Sequence, residues 1–560
     1  MKRIFYIPVA ALACVALWSC DKFLDTTPDN RATLDSPEKI QKLLVAAYAN
    51  RSYVRMAELA SDNCDDMGPT NPNGNLLMLH NSYWQDMTEA DNDSNQNTWA
   101  QYYSAIGVAN TALEAIEAMG TTDELKPFKG EALMCRAYAH FCLTMLYCLP
   151  YHPEKSDQYP GIPYMESPEK ELNPHYVRGD LKSVYEKIDR DIEEALPLMD
   201  NSIYSVPKYH FNVSAAYAFA ARFNLYYMKW DKVVRYADVV LRSNPATMLR
   251  DWTAAGALAW DNNLRTNDYI DPKHKFSLML VPLVSATGGM FNSGWSSGAR
   301  FAHNTRVNKT ETFRAKRPMG GPVDFSTGNT SSQVYRCAPY EVLANNHNKA
   351  YMFKWTLQWE TVNQVTGAGY GHATHVAFTT NEVLLNRAEA YIHLKEYDKA
   401  AADLEVWNQS FCKVGNTYQY QTVVSLTRAR INDVYGNPAS GFYIAQYTSA
   451  APTSRKPLHP HGFEVEAGEQ ESFIQCLLYC RRLDTHAEGL RWGDVKRYGI
   501  VVDRFDDTDY IDSSTSGFRV AATLDERDLR RALQLPQDVV AAGLQANPRN
   551  EDAPGHPFRQ

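Results

Sequence analysis

The sequence predicts a mainly α-helical protein: a scaffold of tetratricopeptide-like helix pairs, with a loop-rich region that carries a few short strands. Apolar residues recur at the helical period in several segments before residue 242 and again over 381–410. Between these segments, over about 244–373, Gly, Ser, Asn and isolated aromatic residues dominate, and short apolar runs such as 276–284 indicate strands. Two helix pairs also share a spacing of small and aromatic residues, which favours a repeated scaffold.

The chain begins with a segment that has the order of a bacterial lipoprotein signal. Two basic residues at positions 2 and 3 precede an apolar stretch that leads to Ser19, and Cys20 follows. The stretch is shorter than the roughly 18–20 apolar residues of a membrane-spanning helix. Lipoprotein processing requires a cysteine directly after the cut, because its thiol takes the diacylglycerol. We therefore expect residues 1–19 to be a signal peptide and Cys20 to be the lipid attachment site; the alternative is an ordinary cleaved signal.

Composition and charge exclude several classes of function. Hydrophobic residues make up 44% and charged residues 22% of the 560 residues, as in a globular protein with a real core. The formal net charge of -9 argues against nucleic acid as a partner and against binding to anionic lipid headgroups. Cys476 and Cys480 lie one turn apart on a predicted helix, with Cβ atoms about 5–6 Å apart, too far for a disulfide. We expect Cys135 and Cys142 to be small core residues.

The helical segments follow in order along the chain. The first begins at the N-cap Ser36, with proline in the first turn. The predicted helices span 36–53, 98 to at least 116, 123–147, 180–196, 213–228, 231–241, 381–394, 397–407, 471–485 and 490–498. Residues 62–97 are rich in Asn, Asp, Gly and Pro, so we expect a long irregular excursion, a feature that is often functional.

The two similar helix pairs are predicted hairpins. In the better-defined pair, Ala388 and Tyr391 precede Tyr397, Ala400 and Leu404. The equivalent positions of the other pair are Ala221, Asn224, Trp230, Val233 and Ala237. Small residues let two helices approach closely, and an aromatic residue at the turn wedges the pair, as in tetratricopeptide-like repeats.

Several blocks of the chain together resemble the SusD/RagB family of Bacteroidota outer-membrane lipoproteins. The blocks are CDKFLD (20–25), EA (131–132) with RAY (136–138) and LY (146–147), EVLLNRAEAY (382–391) with YDKA (397–400), RRL (481–483) with EGLRWGD (488–494), LP (535–536) and NP (547–548). They follow the family's order over most of the chain.

The resemblance implies one SusD-like domain over residues 20–560. Its helical scaffold covers about 36–242 and 381–410, its variable loop-rich region about 244–373, and its C-terminal part about 411–560. Such proteins are non-catalytic; they sit on the cell surface over a SusC-like TonB-dependent transporter and capture oligosaccharides. The alternatives are a peptide-capturing RagB-like lipoprotein and a surface glycan-degrading enzyme.

The predicted ligand contacts are aromatic residues in irregular segments. Flat rings stack on the apolar faces of pyranose sugars and lose few rotamers on binding. One candidate pair is Tyr83 and Trp84; the other is Phe291 and Trp295, in a Gly/Ser-rich loop closed by Arg300. We expect Trp84 and Trp295 to converge on one exposed surface, opposite the side that faces the transporter.

Trp252 and Trp260 form a weaker third candidate pair of ligand contacts. Other residues are expected to be structural. Trp99 lies on a helical face, so it is predicted to be core. Glu488, Arg491, Asp494 and Arg497 indicate an ion-pair network that anchors the C-terminal part to the scaffold.

Neither catalysis nor a metal is indicated by the residues that match the family. There is no HExxH motif, and the acidic residues of the family-matching blocks lie on predicted packing helices, so we expect neither an enzyme nor a cofactor. Asp62, Asp65 and Asp66 are oxygen ligands of the kind calcium takes, but they lack the spacing of a known calcium loop.

Overall fold

The computed structural model describes residues 33–549, except 70, 172–173, 292–298, 324–329, 343–348, 357, 419–420 and 507–517. The helices are α1 (Pro37–Leu44), α2 (Val54–Ala60), α3 (Leu76–Ser82), α4 (Asn95–Met119), α5 (Lys126–Tyr147), α6 (Leu181–Ala195), α7 (Val213–Tyr226), α8 (Trp230–Leu241), α9 (Trp252–Ala257), α10 (Asn262–Tyr269), α11 (Thr287–Phe291), α12 (Thr305–Glu311), α13 (Ser331–Val334), α14 (Thr380–His393), α15 (Tyr397–Phe411), α16 (Arg428–Gly436), α17 (Glu469–Asp484), α18 (Leu490–Arg497) and α19 (Gln537–Ala541). The predicted mainly α fold class is confirmed.

The strands range from two residues to the 12 residues of the longest, Ala368–Thr379. They are β1 (Asp65–Asp66), β2 (Ser277–Val284), β3 (Phe301–Ala302), β4 (Tyr340–Val342), β5 (Lys349–Tyr351), β6 (Gln358–Asn363), β7 (Ala368–Thr379), β8 (Thr417–Tyr418), β9 (Gln421–Thr422), β10 (Val502–Asp506) and β11 (Arg519–Leu524). One sheet has the order β11-β10-β1-β3 and another the order β2-β7-β6, while β4-β5 and β8-β9 form two-stranded ribbons. The loop-rich region therefore holds strands as predicted, and it also holds the short helices α9 to α13.

Most helix boundaries agree with the sequence, but the first predicted helix is too long. Ser36 does cap α1, accepting a hydrogen bond from the backbone N–H of Lys39. The chain then becomes extended at Tyr48, whose hydroxyl donates to Glu131 at 2.6 Å and accepts from the backbone N–H of Phe211 at 2.7 Å. These contacts with distant parts of the scaffold override the helical period, and a new helix begins only at Val54.

The two predicted hairpins are the helix pairs α7–α8 and α14–α15, and they share the geometry of their turns. Met228 and Lys395 occupy equivalent positions, and both have left-handed backbones, with φ of 60°. In each turn the next residue's N–H reaches back to the last part of the first helix: Lys229 to Asn224 and Glu396 to Tyr391. This is the hydrogen-bond pattern of a Schellman motif. The helix α8 also packs on α14, so the hairpins join in one scaffold.

A single large hydrophobic core runs from Ile40 to Leu544 and includes both cysteines predicted to be core, Cys135 and Cys142. The cysteines of the described residues are buried and unbridged, so the prediction that Cys476 and Cys480 form no disulfide is confirmed. Across those same residues, no helix is long and apolar enough to cross a membrane.

A buried ion-pair network ties the C-terminal part to the scaffold, as predicted. Glu389 of α14 accepts hydrogen bonds from Arg481, from Arg497 at 2.7 Å and from the Tyr498 hydroxyl at 2.6 Å. Asp494 pairs with Arg497 on the same helix at 3.2 Å. The other predicted members reach further: Glu488 pairs with Lys354 at 2.7 Å, and Arg491 pairs with Asp62 at 2.7 Å.

Candidate functional site

Pairing between short strands brings Tyr83 and Arg300, which are far apart in the sequence, to the same carboxylate. The strand β1 lies between β10 and β3, and Asp66 of β1 pairs in register with Phe301 of β3. Because Arg300 directly precedes β3, its side chain meets Asp66: Nε and Nη2 donate to Oδ1 and Oδ2 at 2.6 and 2.7 Å. The hydroxyl of Tyr83 donates to the same carboxylate at 3.1 Å. Tyr83 and Arg300, predicted from separate segments, therefore share one carboxylate.

The electrostatics of this cluster keep both side chains in their usual protonation states. The hydrogen bond from Arg300 to buried Asp66 raises the pKa of the guanidinium, which stays charged. Burial, followed by the nearby charge of Asp66, raises the pKa of the Tyr83 phenol, which stays neutral. Arg300 keeps 19% of its side chain exposed, so it can still donate to a ligand at the surface.

Gly74, which has no side chain, lets Arg300 pack directly against the irregular segment 62–97. A Cβ atom at this position would lie 2.9 Å from both Cβ and Cδ of Arg300, so the arginine stem rests directly on the glycine backbone. The backbone N–H of Arg300 also donates to the Asn73 carbonyl at 3.2 Å. The irregular excursion predicted over 62–97 thus supports the arginine, although it also contains strand β1 and helix α3.

The prediction that Trp84 lies exposed is wrong. Its side chain is 1% exposed, and its indole N–H donates to the Ala60 carbonyl at 2.8 Å. The guanidinium of Arg504 lies 5.2 Å from the ring centroid. Helix α3 ends at Ser82, and Trp84 then adopts a left-handed backbone with φ of 57°, which is uncommon for a bulky residue. The ring therefore belongs to the core, as Trp99 also does.

The other predicted aromatic residues have mixed outcomes. Phe291 ends α11 and is buried, and Tyr83 is buried as well, with 9% of its surface exposed. Trp295 falls within 292–298, which lies outside the described residues. Cys20 also lies outside the described residues. The expected convergence of Trp84 and Trp295 on an exposed surface fails for Trp84, while Trp295 stays a prediction.

The three aspartates at the start of the excursion are each paired with a different arginine. Asp62 binds Arg491 at 2.7 and 2.9 Å, Asp65 binds Arg306 at 2.6 and 3.0 Å, and Asp66 binds Arg300. Burial alone would raise the pKa of Asp62, but Arg482 and Arg491 hold it well below its usual range. Across the part of the chain that the structure describes, no group of three or more His, Cys, Asp or Glu side chains is placed to hold a metal ion.

Two tryptophans outside the main predicted ligand contacts, Trp260 and Trp359, are exposed. Trp252 and Trp260, proposed as a weak pair, have opposite environments: Trp252 is buried, whereas Trp260 is 61% exposed. Trp359 of β6 is also 61% exposed and was not predicted as a site residue.

A separate cavity of about 530 Å³ opens beside α4, between α19 on one side and residues 163–169 and 174–176 on the other. Trp99 and Tyr103 form its aromatic wall, and Tyr176 lies at its margin. The Asn110 amide donates to the Met165 and Ser167 carbonyls at 3.0 and 3.2 Å and so supports the cavity wall. Of the predicted ligand contacts that the structure describes, none lines this cavity.

Part of the sequence matches a known family, and the fold is similar to several solved structures. Residues 22–225 match the model of the SusD-like family described as "Starch-binding associating with outer membrane". A search of curated proteins finds no match. A SusD superfamily protein of Bacteroides thetaiotaomicron has a similar structure, with a TM-score of 0.57 at 18% identity over 92% of this chain and 100% of the other. A SusD superfamily protein of Bacteroides vulgatus is also similar, with a TM-score of 0.56 at 16% identity over 91% of this chain and 97% of the other.

A third similar structure is a SusD-like carbohydrate binding protein of Bacteroides vulgatus, with a TM-score of 0.51 at 14% identity over 90% of this chain and 96% of the other. At these identities the likeness carries the fold alone, and the family match covers the N-terminal part of the chain. The fold and the match over residues 22–225 together confirm the resemblance to the SusD/RagB family.

Proposed function

We propose that the protein is a non-catalytic cell-surface lipoprotein that captures oligosaccharides at the outer membrane and delivers them to a SusC-like TonB-dependent transporter. The observation that carries the proposal is the match of residues 22–225 to a family described as starch-binding and associated with the outer membrane. The geometry agrees with it: the helical scaffold holds a partly exposed Arg300 in an irregular segment, where its counter-charge Asp66 also accepts from the hydroxyl of the buried Tyr83. Such surface segments are where binding residues concentrate.

The carboxylates near Arg300 favour binding over catalysis. A typical glycoside hydrolase needs two carboxyl groups that flank the scissile bond, one of them able to donate a proton. Asp62, Asp65 and Asp66 instead each accept paired hydrogen bonds from an arginine. An aspartate held by two hydrogen bonds from one arginine is committed to structure, because both of its oxygens already have a partner.

Affinity electrophoresis of the purified protein in gels that contain amylopectin, xylan, β-glucan or pectic galactan tests the binding role. We expect at least one polysaccharide to retard the protein, without new reducing ends after prolonged incubation. Release of oligosaccharides would identify an enzyme instead. Failure to bind any polysaccharide, together with retention of peptides from a protein digest, would identify a peptide-capturing lipoprotein.

The anchor has its own test. A Cys20→Ala variant expressed in a Bacteroides host should lose metabolic acyl label and leave the membrane fraction, because stable anchoring depends on acyl chains. A variant that stays in membranes lacking the transporter would contradict the lipoprotein assignment. Co-purification of the wild type with a TonB-dependent barrel from native membranes tests the delivery step.

A further inference from the structure

Trp260 is an exposed tryptophan whose ring is supported on one face by a buried arginine. It directly precedes α10, and the carboxylate of Asp261 caps that helix by accepting the backbone N–H of Leu264 at 2.7 Å. The guanidinium of Arg265 lies 4.2 Å from the centroid of the Trp260 ring. Since one face of the ring rests on this cation while 61% of the side chain is exposed, the opposite face is open to solvent.

The supporting arginine cannot move easily. Arg265 is 3% exposed, and its Nε and Nη2 donate to the carbonyls of Ala259 and Leu258 at 3.0 and 2.6 Å. The guanidinium also lies 4.9 Å from the centroid of the buried Phe353 ring, a neighbour of Trp260. The cation therefore contacts two adjacent aromatic rings, and it is bonded to the backbone that leads into Trp260.

Neighbouring rings hold the edges of the indole. The centroids of Tyr340 and Phe353 lie 6.0 and 5.8 Å from that of Trp260, with interplanar angles of 52° and 63°. These are edge contacts of the kind that aromatic rings prefer. The ring is thus fixed before any ligand arrives, so binding to it costs little side-chain entropy.

The Trp260 ring lies in the same part of the fold as Arg300. The strand β5 carries Tyr351 against Tyr340, and the backbone N–H of Ala350 donates to the His303 carbonyl at 2.8 Å. His303 is three residues beyond Arg300, at most about 10 Å along an extended chain. Strand β5 thus connects the Trp260 ring to the segment that positions Arg300.

We propose that Trp260 is a sugar-stacking platform, a subsite that takes a pyranose ring of the captured oligosaccharide on its open face. This inference rests on the proposed glycan-binding function and extends it to a second contact. Polar groups beside the ring, Asp261 and the exposed Asn263, suit sugar hydroxyls. A standard protein interface covers about 800 Å² per partner, whereas a single ring among polar neighbours matches one sugar unit.

The test compares two tryptophans of equal exposure. Trp260→Ala removes the platform, Trp260→Phe keeps a smaller aromatic face, and Trp359→Ala is the matched control, since Trp359 is also 61% exposed. Each variant is titrated calorimetrically with an oligosaccharide cut from whichever polysaccharide retards the wild type, and each is melted to check folding. An Arg300→Ala variant is measured beside them.

We expect Trp260→Ala to weaken binding at least about ten-fold, Trp260→Phe to recover part of it, and Trp359→Ala to bind as the wild type does. If Trp260→Ala melts normally and binds within two-fold of the wild type, the platform is refuted, while the proposed function stands. If Trp359→Ala loses as much affinity as Trp260→Ala, the assignment to Trp260 is also refuted. A wild type that binds none of the polysaccharides would overturn the proposed function and the platform with it.

Discussion

We expect the arrangement of the candidate site to depend most on Asp66, whose carboxylate binds both Arg300 and Tyr83. The substitution Asp66→Asn tests this with little change in side-chain shape. Its two oxygens accept four hydrogen bonds: two from Arg300, one from the Tyr83 hydroxyl and one from the backbone N–H of Gly68 at 2.9 Å. An asparagine keeps one oxygen and replaces the other with an NH2 group. Two of the four hydrogen-bond donors would then face the new NH2 group instead of an oxygen, and Arg300 would lose its counter-charge.

The expected cost follows from these contacts. A hydrogen bond to a charged group contributes about 1.5–3 kcal/mol, and removing one partner of a buried ion pair costs about 3–5 kcal/mol. Arg300 keeps 19% of its side chain exposed, so water can satisfy part of what it loses. We therefore expect Asp66→Asn to lower the free energy of unfolding by about 2–3 kcal/mol, below the full cost of a buried pair.

Urea unfolding followed by circular dichroism measures the change, and Asp398→Asn is the matched control. Asp398 also accepts two hydrogen bonds from one arginine, Arg428, both at 3.1 Å, but its side chain is 82% exposed. We expect this control to unfold almost as the wild type does. If the two variants shift the urea midpoint equally, or if Asp66→Asn changes stability by less than about 0.5 kcal/mol, the structural role of Asp66 is refuted.

Three further substitutions test the scaffold. Trp84→Ala should cost about 3–5 kcal/mol, because it empties a core position, and an unchanged melting curve would show that the ring is not core. Ala388→Leu should cost about 1–3 kcal/mol by overpacking α14 against α15, whereas Ala402→Leu on the exposed side of α15 should be tolerated; equal effects would argue against a close helix contact. Although burial alone would raise it, Arg481 and Arg497 lower the pKa of Glu389 to about 2. The stability that its charge contributes is therefore fully present above its unfolded pKa of about 4.3 and is lost as pH falls towards 2. Urea titrations at several pH values should show that Glu389→Gln reduces the loss of unfolding free energy between about pH 4.3 and 2. An unchanged loss would contradict the pairing.

The helical scaffold was predictable because its signals are local. Apolar spacing and N-caps such as Ser36 gave most helix boundaries to within a few residues. The matched spacing of the two hairpins even extends to their turns, where Met228 and Lys395 both adopt left-handed backbones. The first helix was the exception, since its break at Tyr48 depends on Glu131 and Phe211, which no local pattern reveals.

The candidate site was predictable only in part, because its geometry depends on pairing between distant segments. That an arginine closes the Gly/Ser-rich loop could be read from the sequence, but that Arg300 shares a carboxylate with Tyr83 could not. The partner, Asp66, lies in one of the shortest strands, and only its register opposite Phe301 brings the two segments together. Two-residue strands leave no alternating pattern in a sequence.

Exposure of the tryptophans shows the same limit most clearly. Trp84, Trp252, Trp260 and Trp359 each have at least one polar or charged neighbour in the sequence, yet two of them are buried and two are exposed. A left-handed residue turns one ring into the core, and an arginine five positions along the chain fixes another at the surface. Polar neighbours therefore do not decide whether an aromatic ring can meet a ligand. What decides it is whether the surrounding backbone covers the ring or supports it from one side, and for Trp260 that support comes from Arg265.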